Sequence, residues 1–264
     1  MRLLHKAVLE PRSQTPSIPN LWPALTQRGI NLRVGEVSLL CGRPSSGKSM
    51  VALNIAYRAK VPTLYVSCDS HKATQAMRLL ALKTGNDQSV IEQWMSDNTK
   101  YVSDLLRSED YLRWNFLSSP SIQDIEDLVE AHAEMWTDAP VLLIVDNLVD
   151  TLRSPDDQWG KSFLLDIKEL CREWQMAGLV LHHMSLSRPH PSGSVPDMES
   201  IQGKTAETPA LILSVAQQDG WLGLGSVKNR YGHMDAAGRT VDWFQYEPER
   251  AYIGEVGDGE FVEN

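Results

Sequence analysis

Cysteine is scarce in this chain. Cys41, Cys68 and Cys171 are far apart and odd in number, so they form neither a disulfide framework nor the close pairs of a zinc site. Cys41 and Cys68 fall in apolar, strand-like runs, as buried free thiols do, and the expected setting is reducing and cytoplasmic. Long hydrophobic runs are missing too. No stretch approaches the roughly 18 apolar residues of a membrane helix, and residues 1–19 lack the continuous apolar centre of a signal peptide. Positive charge is also short: 25 Lys and Arg against 34 Asp and Glu leave a net charge of −9. That excludes a generally basic, nucleic-acid-coating surface. Any such contact has to come from local basic loops, or from charge gathered in the channel of an oligomer. Internal repeats and low-complexity tracts are absent. What is present is enough apolar content, 42% of 264 residues, for a sizeable core in one elaborated domain.

Residues 1–19 carry Pro11, Pro16 and Pro19 among Ser and Thr and read as an arm or linker. Residues 20–264 read as one domain. Glu36–Gly42 is a short apolar run ending in glycine, and Lys48–Lys60 follows with a helical pattern. Thr63–Cys68 predicts a strand, Lys72–Thr84 and Gln88–Met95 helices, and Trp114–Leu117 a short strand. Ser121 and Asp124 have capping-box spacing ahead of an amphipathic helix over Ile122–Trp136. Val141–Val145 is wholly apolar, as in a strand buried on both faces. Asp157–Gln175 predicts a helix ended by Gly178, with the next strand at Leu179–His182. Arg188–Gly203 is rich in Pro, Ser and Gly and reads as a long mobile loop, a kind often functional in compact domains. Ala210–Val215, Leu222–Val227 and Thr240–Phe244 follow closely enough to be antiparallel strands. The fold class is α/β, with a mostly parallel sheet and a C-terminal antiparallel extension.

Gly42-Arg43-Pro44-Ser45-Ser46-Gly47-Lys48-Ser49 meets the pattern G-x-x-x-x-G-K-[ST] in full, between a predicted strand and a predicted helix. Glycines let the backbone curl until its N–H groups face phosphate oxygens, and the helix N-terminus adds partial positive charge. Lys48 is placed to reach the β- and γ-phosphates and Ser49 to ligate Mg²⁺, so the implied ligand is ATP with Mg²⁺. Val141–Val145 then delivers Asp146 at its C-terminal end, where ligands bind in open α/β sheets. Asp146 would hold Mg²⁺ through water.

With these motifs in order, the chain resembles the RecA-like motor domain of DnaB-like and plasmid RepA-type hexameric helicases. The resemblance rests on Arg43–Ala56, Cys68–Leu82, Val141–Leu152 and Gly225–Gly232. It implies a RecA-like three-layer fold and an ATP-hydrolysing, DNA-associated motor of helicase or recombination type. It also implies self-association as a hexameric ring or filament on single-stranded or branched DNA, contact with other replication proteins, and no membrane. The family's catalytic glutamate falls on Asp69, one methylene shorter, which can still polarise water. Its sensor falls on His183, with His182 beside it in the RepA manner. The second DNA-binding loop corresponds to Met184–Gly203, with Arg188 and Lys204 near its edges. The loop after Asp146 adds Arg153 and Lys161. Lys228 and Arg230, two apart on a strand and so on one face, resemble the pair that reaches a neighbouring subunit's γ-phosphate. The helical N-terminal domain of DnaB proteins has no counterpart in the matching stretch, so ATPase action and DNA association are implied more directly than processive unwinding.

Two other functions compete. His182, His183, His190, Asp197 and Glu199 are the residue types of a divalent-metal nuclease, though their spacing matches no such motif. Asp69 in place of glutamate suits an ATP-switched replication loader with little turnover.

Overall fold

The computed structural model describes residues 16–19, 21–148, 157–185, 189–201 and 203–255, the side chains of 157–159, 203 and 204 excepted. The strands among them are β1 (Val37–Gly42), β2 (Thr63–Ser67), β3 (Leu112–Asn115), β4 (Leu142–Asp146), β5 (Ala177–His183), β6 (Leu211–Gln218), β7 (Trp221–Asn229), β8 (Asp242–Glu247) and β9 (Tyr252–Gly254). They form one sheet in the order β3-β2-β4-β5-β1-β6-β7-β8-β9. The strands from β3 to β6 are parallel, and β7, β8 and β9 continue antiparallel from β6. The helices are α1 (Pro23–Gln27), α2 (Lys48–Ala59), α3 (Lys72–Thr84), α4 (Gln88–Asp97), α5 (Thr99–Arg107), α6 (Ile122–Trp136) and α7 (Asp157–Glu173).

Strand alternation sorts the core into two layers. Leu40, Tyr65, Ile144, Leu179 and Leu213 point to the face covered by α2 and α3. Leu39, Val66, Val145, Val180 and Ile212 point to the face covered by α6 and α7. Both faces of β1, β2 and β4 are therefore buried, and each fully buried Leu, Ile or Val contributes about 1.5–3 kcal/mol. The outcome is the RecA-like three-layer arrangement with an antiparallel C-terminal extension. No helix among the described residues is long and apolar enough to cross a membrane.

Several boundaries differ from expectation. Gly178 does not end the helix before it. The helix stops at Glu173, Gln175 takes a left-handed conformation at φ 55°, and Gly178 lies inside β5. A Cβ on Gly178 would come within 2.8 Å of Cys171 Sγ, so the missing side chain lets α7 lie close against the sheet. The run near Ala210 is antiparallel to β7 but parallel to β1. α5 and β9 have no counterpart in the sequence reading. β9 is held by buried Asn54 of α2, whose Nδ2 donates to the Ala251 carbonyl at 2.8 Å and whose Oδ1 accepts from Ile253 N at 3.2 Å. Of residues 1–19, Ile18 is in the core and its N–H donates to the Leu32 carbonyl at 2.8 Å.

Candidate nucleotide site

β1 hands over to α2 through a tight curl. A Cβ on Gly42 would fall 2.4 Å from Ser46 Oγ and 3.2 Å from the Val215 carbonyl oxygen, so only glycine fits there. Gly47 precedes the helix at φ +90°, with Leu222 Cδ1 2.9 Å from where a Cβ would stand. Inside the curl, Lys48 Nζ donates to the carbonyls of Gly42 at 3.1 Å and Arg43 at 2.9 Å. Ser46 Oγ is buried without a hydrogen-bond partner. These are donors at a helix N-terminus, the physical requirements for an anion.

Asp146 ends β4 beside Ser67 of β2. Its Oδ2 accepts from Tyr65 OH at 2.9 Å, and its backbone carbonyl accepts from Cys68 N at 2.6 Å. Burial pushes its pKa up, against hydrogen bonds from Ser49 and Tyr65 and the charge of Lys48. Burial likewise pushes the Lys48 pKa down, against Asp146. An anion beside Lys48 and a cation beside Asp146 would offset both desolvation penalties. The donor set fits Mg²⁺: the Ser49 hydroxyl and the Asp146 carboxylate line the same cleft, and hard oxygen donors suit that ion.

His183 closes β5. Burial, then Lys48 and His182, push its pKa down to about 4, so at neutral pH it is an uncharged imidazole. Its Nδ1 is buried without a partner. The next residue, Met184, donates its N–H to the Gly42 carbonyl at 3.1 Å, which ties the end of β5 to the curl. Asp69 is exposed, two residues beyond β2. These groups share one cleft of about 420 Å³, lined by Pro44 to Met50 with Asp69, Arg78, Asp146, Asn147, His183 and Tyr246. Arg78 of α3 and Tyr246 of β8 were not singled out from the sequence. Arg78 lies within a stretch that carries the family resemblance, but only the packing of α3 brings it to the cleft.

Lys228 and Arg230 are elsewhere. β7 runs antiparallel to β6, so Asn229 faces Leu211, which in turn sits beside Ser38 at the start of β1. Gly42 is at the other end of β1. Four residue steps along β1, Ser38 to Gly42, separate the two levels, about 13 Å. Lys228 Nζ donates to the carbonyls of Ala206 at 2.7 Å and Glu207 at 2.9 Å, and burial, then Arg230, lower its pKa. Arg230 is exposed. Lys161 is ion-paired with Glu207. Arg153 and Arg188 lie outside the described residues, as does the Lys204 side chain.

The alternative metal set is not assembled. Among the described residues no group of three His, Cys, Asp or Glu is gathered for a metal. Asp197 instead caps a short 3₁₀ turn, accepting from Ser200 N at 2.8 Å and Ser200 Oγ at 2.6 Å.

A parallel sheet, an amide-lined curl opening a helix, and a carboxylate on the neighbouring strand end define a nucleotide-binding phosphate-loop protein of RecA-like fold. Residues 23–188 match the AAA domain family, and the chain belongs to it. It is 33% identical over 256 residues to the Gene 65 protein of Mycobacterium phage L5, covering 91% of this chain and 93% of that one. Among solved structures, an isolated ATPase domain superposes with a TM-score of 0.75 at 13% identity, over 96% of each chain. A DnaB-like replicative helicase, studied with its primase interactions, also reaches 0.75, at 14% identity, over 96% of this chain and 66% of its own. At these identities the structural likeness speaks for the fold.

Proposed function

We propose that the chain is an ATP-hydrolysing motor of the DnaB type that acts on single-stranded or branched DNA as an assembled ring or filament. One observation carries the reading: the cleft has phosphate, magnesium and water-facing groups together, while its candidate finger stands at the opposite end of the sheet. Arg230 is exposed and stands away from its own cleft, which supports a role at a neighbour's.

In this reading Lys48 exchanges the Gly42 and Arg43 carbonyls for β- and γ-phosphate oxygens. Ser49, with Asp146 through water, would hold Mg²⁺, which would supply positive charge to neutralise the triphosphate. Asp69 orients the attacking water and takes its proton. Neutral His183 hydrogen-bonds the γ-phosphate and, through Met184, couples its loss to the segment that follows. Arg230 of the neighbouring copy stabilises charge developing in the transition state, with Lys228 beside it. Lys161, on α7, with Arg153, Arg188 and Lys204, meets strand phosphates in contacts that weaken with salt. Other replication proteins are further partners.

The test is ATP turnover with and without single-stranded DNA. Turnover rises with DNA in the wild type, and Lys48→Ala abolishes it. Undiminished turnover in Lys48→Ala removes the site assignment. Tight ATP binding with no turnover, even on DNA, makes the protein a loader instead.

A further inference from the structure

A second cavity, of about 520 Å³, lies at the tip of the β6–β7 hairpin and is lined by Gly193, Gln218, Asp219, Trp221 and Trp243. It is on the sheet face away from α2. Leu222, Leu224 and Phe244 pack with α2, so the alternate residues Trp221, Gly223 and Trp243 point to the other side, where Val195 and Val241 pack. Trp243 is directly across from Gly223, and a Cβ there would come within 2.9 Å of the indole. Glycine thus leaves room for the ring to lie across β7. The facing wall is the segment that follows β5. Gln218 holds it: Oε1 accepts from Gly193 N at 2.7 Å, and Nε2 donates to Ser192 Oγ at 2.8 Å. Trp221 remains 40% exposed, a flat apolar surface kept in water beside a polar rim.

Asp219 is the one charged side chain among the described residues of this lining. A carboxylate repels phosphate and accepts N–H bonds, so the cavity suits a flat ring with amino donors and not a phosphate backbone. We infer that it takes a nucleobase of bound single-stranded DNA, stacked on indole with Asp219 accepting from an exocyclic amino group. The inference rests on the DNA-motor reading and adds a base subsite to it. Its position fits, because the wall that Gln218 holds belongs to the segment beginning one residue after His183. Stacking and one acceptor favour amino-bearing bases without demanding a sequence.

The test is fluorescence anisotropy with a labelled single strand, and with the same strand carrying abasic sites, in the presence of Mg²⁺ and a non-hydrolysable ATP analogue. Trp221→Ala weakens the intact strand roughly 5- to 100-fold, while Trp221→Phe keeps most of the affinity. The abasic strand binds wild type and Trp221→Ala alike, and more weakly than the intact strand binds wild type. Asp219→Asn reduces the preference for cytosine-rich over thymine-rich strands. ATP affinity is the same in all variants. Equal affinity of Trp221→Ala and wild type for the intact strand overturns the base subsite and leaves the motor reading standing. Loss of ATP affinity in Trp221→Ala overturns it in favour of the adenine of ATP as occupant. A smaller assembly with unchanged strand affinity overturns it in favour of a subunit contact. A wild type that binds no strand at all overturns the DNA reading together with this one.

Discussion

His183 illustrates how a single residue in this cleft is tuned. Its pKa is about 4 in the folded chain against 6.5 for the free group. Between those values the unfolded chain takes up a proton that the folded chain refuses, so this residue's contribution to stability falls as pH drops from 6.5 to 4 and is level on either side. His183→Gln removes this titration, and its urea midpoint should fall less steeply over the same interval. An identical slope in both proteins places the lowered pKa elsewhere. Burial makes the largest part of the shift, Lys48 and His182 add to it, and Asp69 opposes it. Gly42, Gly47, Lys48 and Ser49 were legible in the sequence because the curl they make is local. Arg78, Tyr65 and Tyr246 were not, because a lone Arg or Tyr in a helix or strand pattern has no spacing that marks it.

Among the elements, α6 has the ends that its sequence predicts, Ile122 and Trp136. Ser121 Oγ accepts from Asp124 N at 3.2 Å, and Asp124 Oδ2 accepts from Ser121 N at 2.7 Å. This reciprocal cap satisfies two N–H groups that the helix cannot. Ser121→Ala should cost about 1 kcal/mol, seen as a lower urea midpoint with an unchanged slope. No shift means the first turn is held by the packing of Ile125 and Val129 alone. Gly178 went the other way. Glycine serves both as a helix terminator and as a point of close approach, and the pattern around it does not say which. β9 spans only Tyr252–Gly254, too short for a period-2 signal, and depends on Asn54 and on Trp22, whose Nε1 donates to the Ile253 carbonyl at 3.1 Å.

For the whole molecule, the proposed role of Arg230 at a neighbour's cleft predicts a kinetic consequence. Arg230→Ala should bind ATP normally and lose turnover roughly 10³-fold. Mixed with wild type, it should depress activity below simple dilution, since each mutant copy disables its neighbour's cleft. Activity that falls only in proportion to dilution means independent monomers and removes the finger in trans. Turnover should also depend on protein concentration, with mass in solution rising over the same range.

The sequence by itself determined the phosphate curl, the apolar strand with Asp146 at its end, the capped helix and the succession of most strands and helices along the chain. Each of these depends on residues within a turn or two of one another. Only the tertiary structure decided that Arg78 and Tyr246 enter the cleft, that Gly178 lies under α7, that the two indoles share a cavity, and that Arg230 stands away from its own phosphate loop. These follow from strand order and register between distant segments, which are set by burying two faces of one sheet at once and leave no mark in any short stretch of chain.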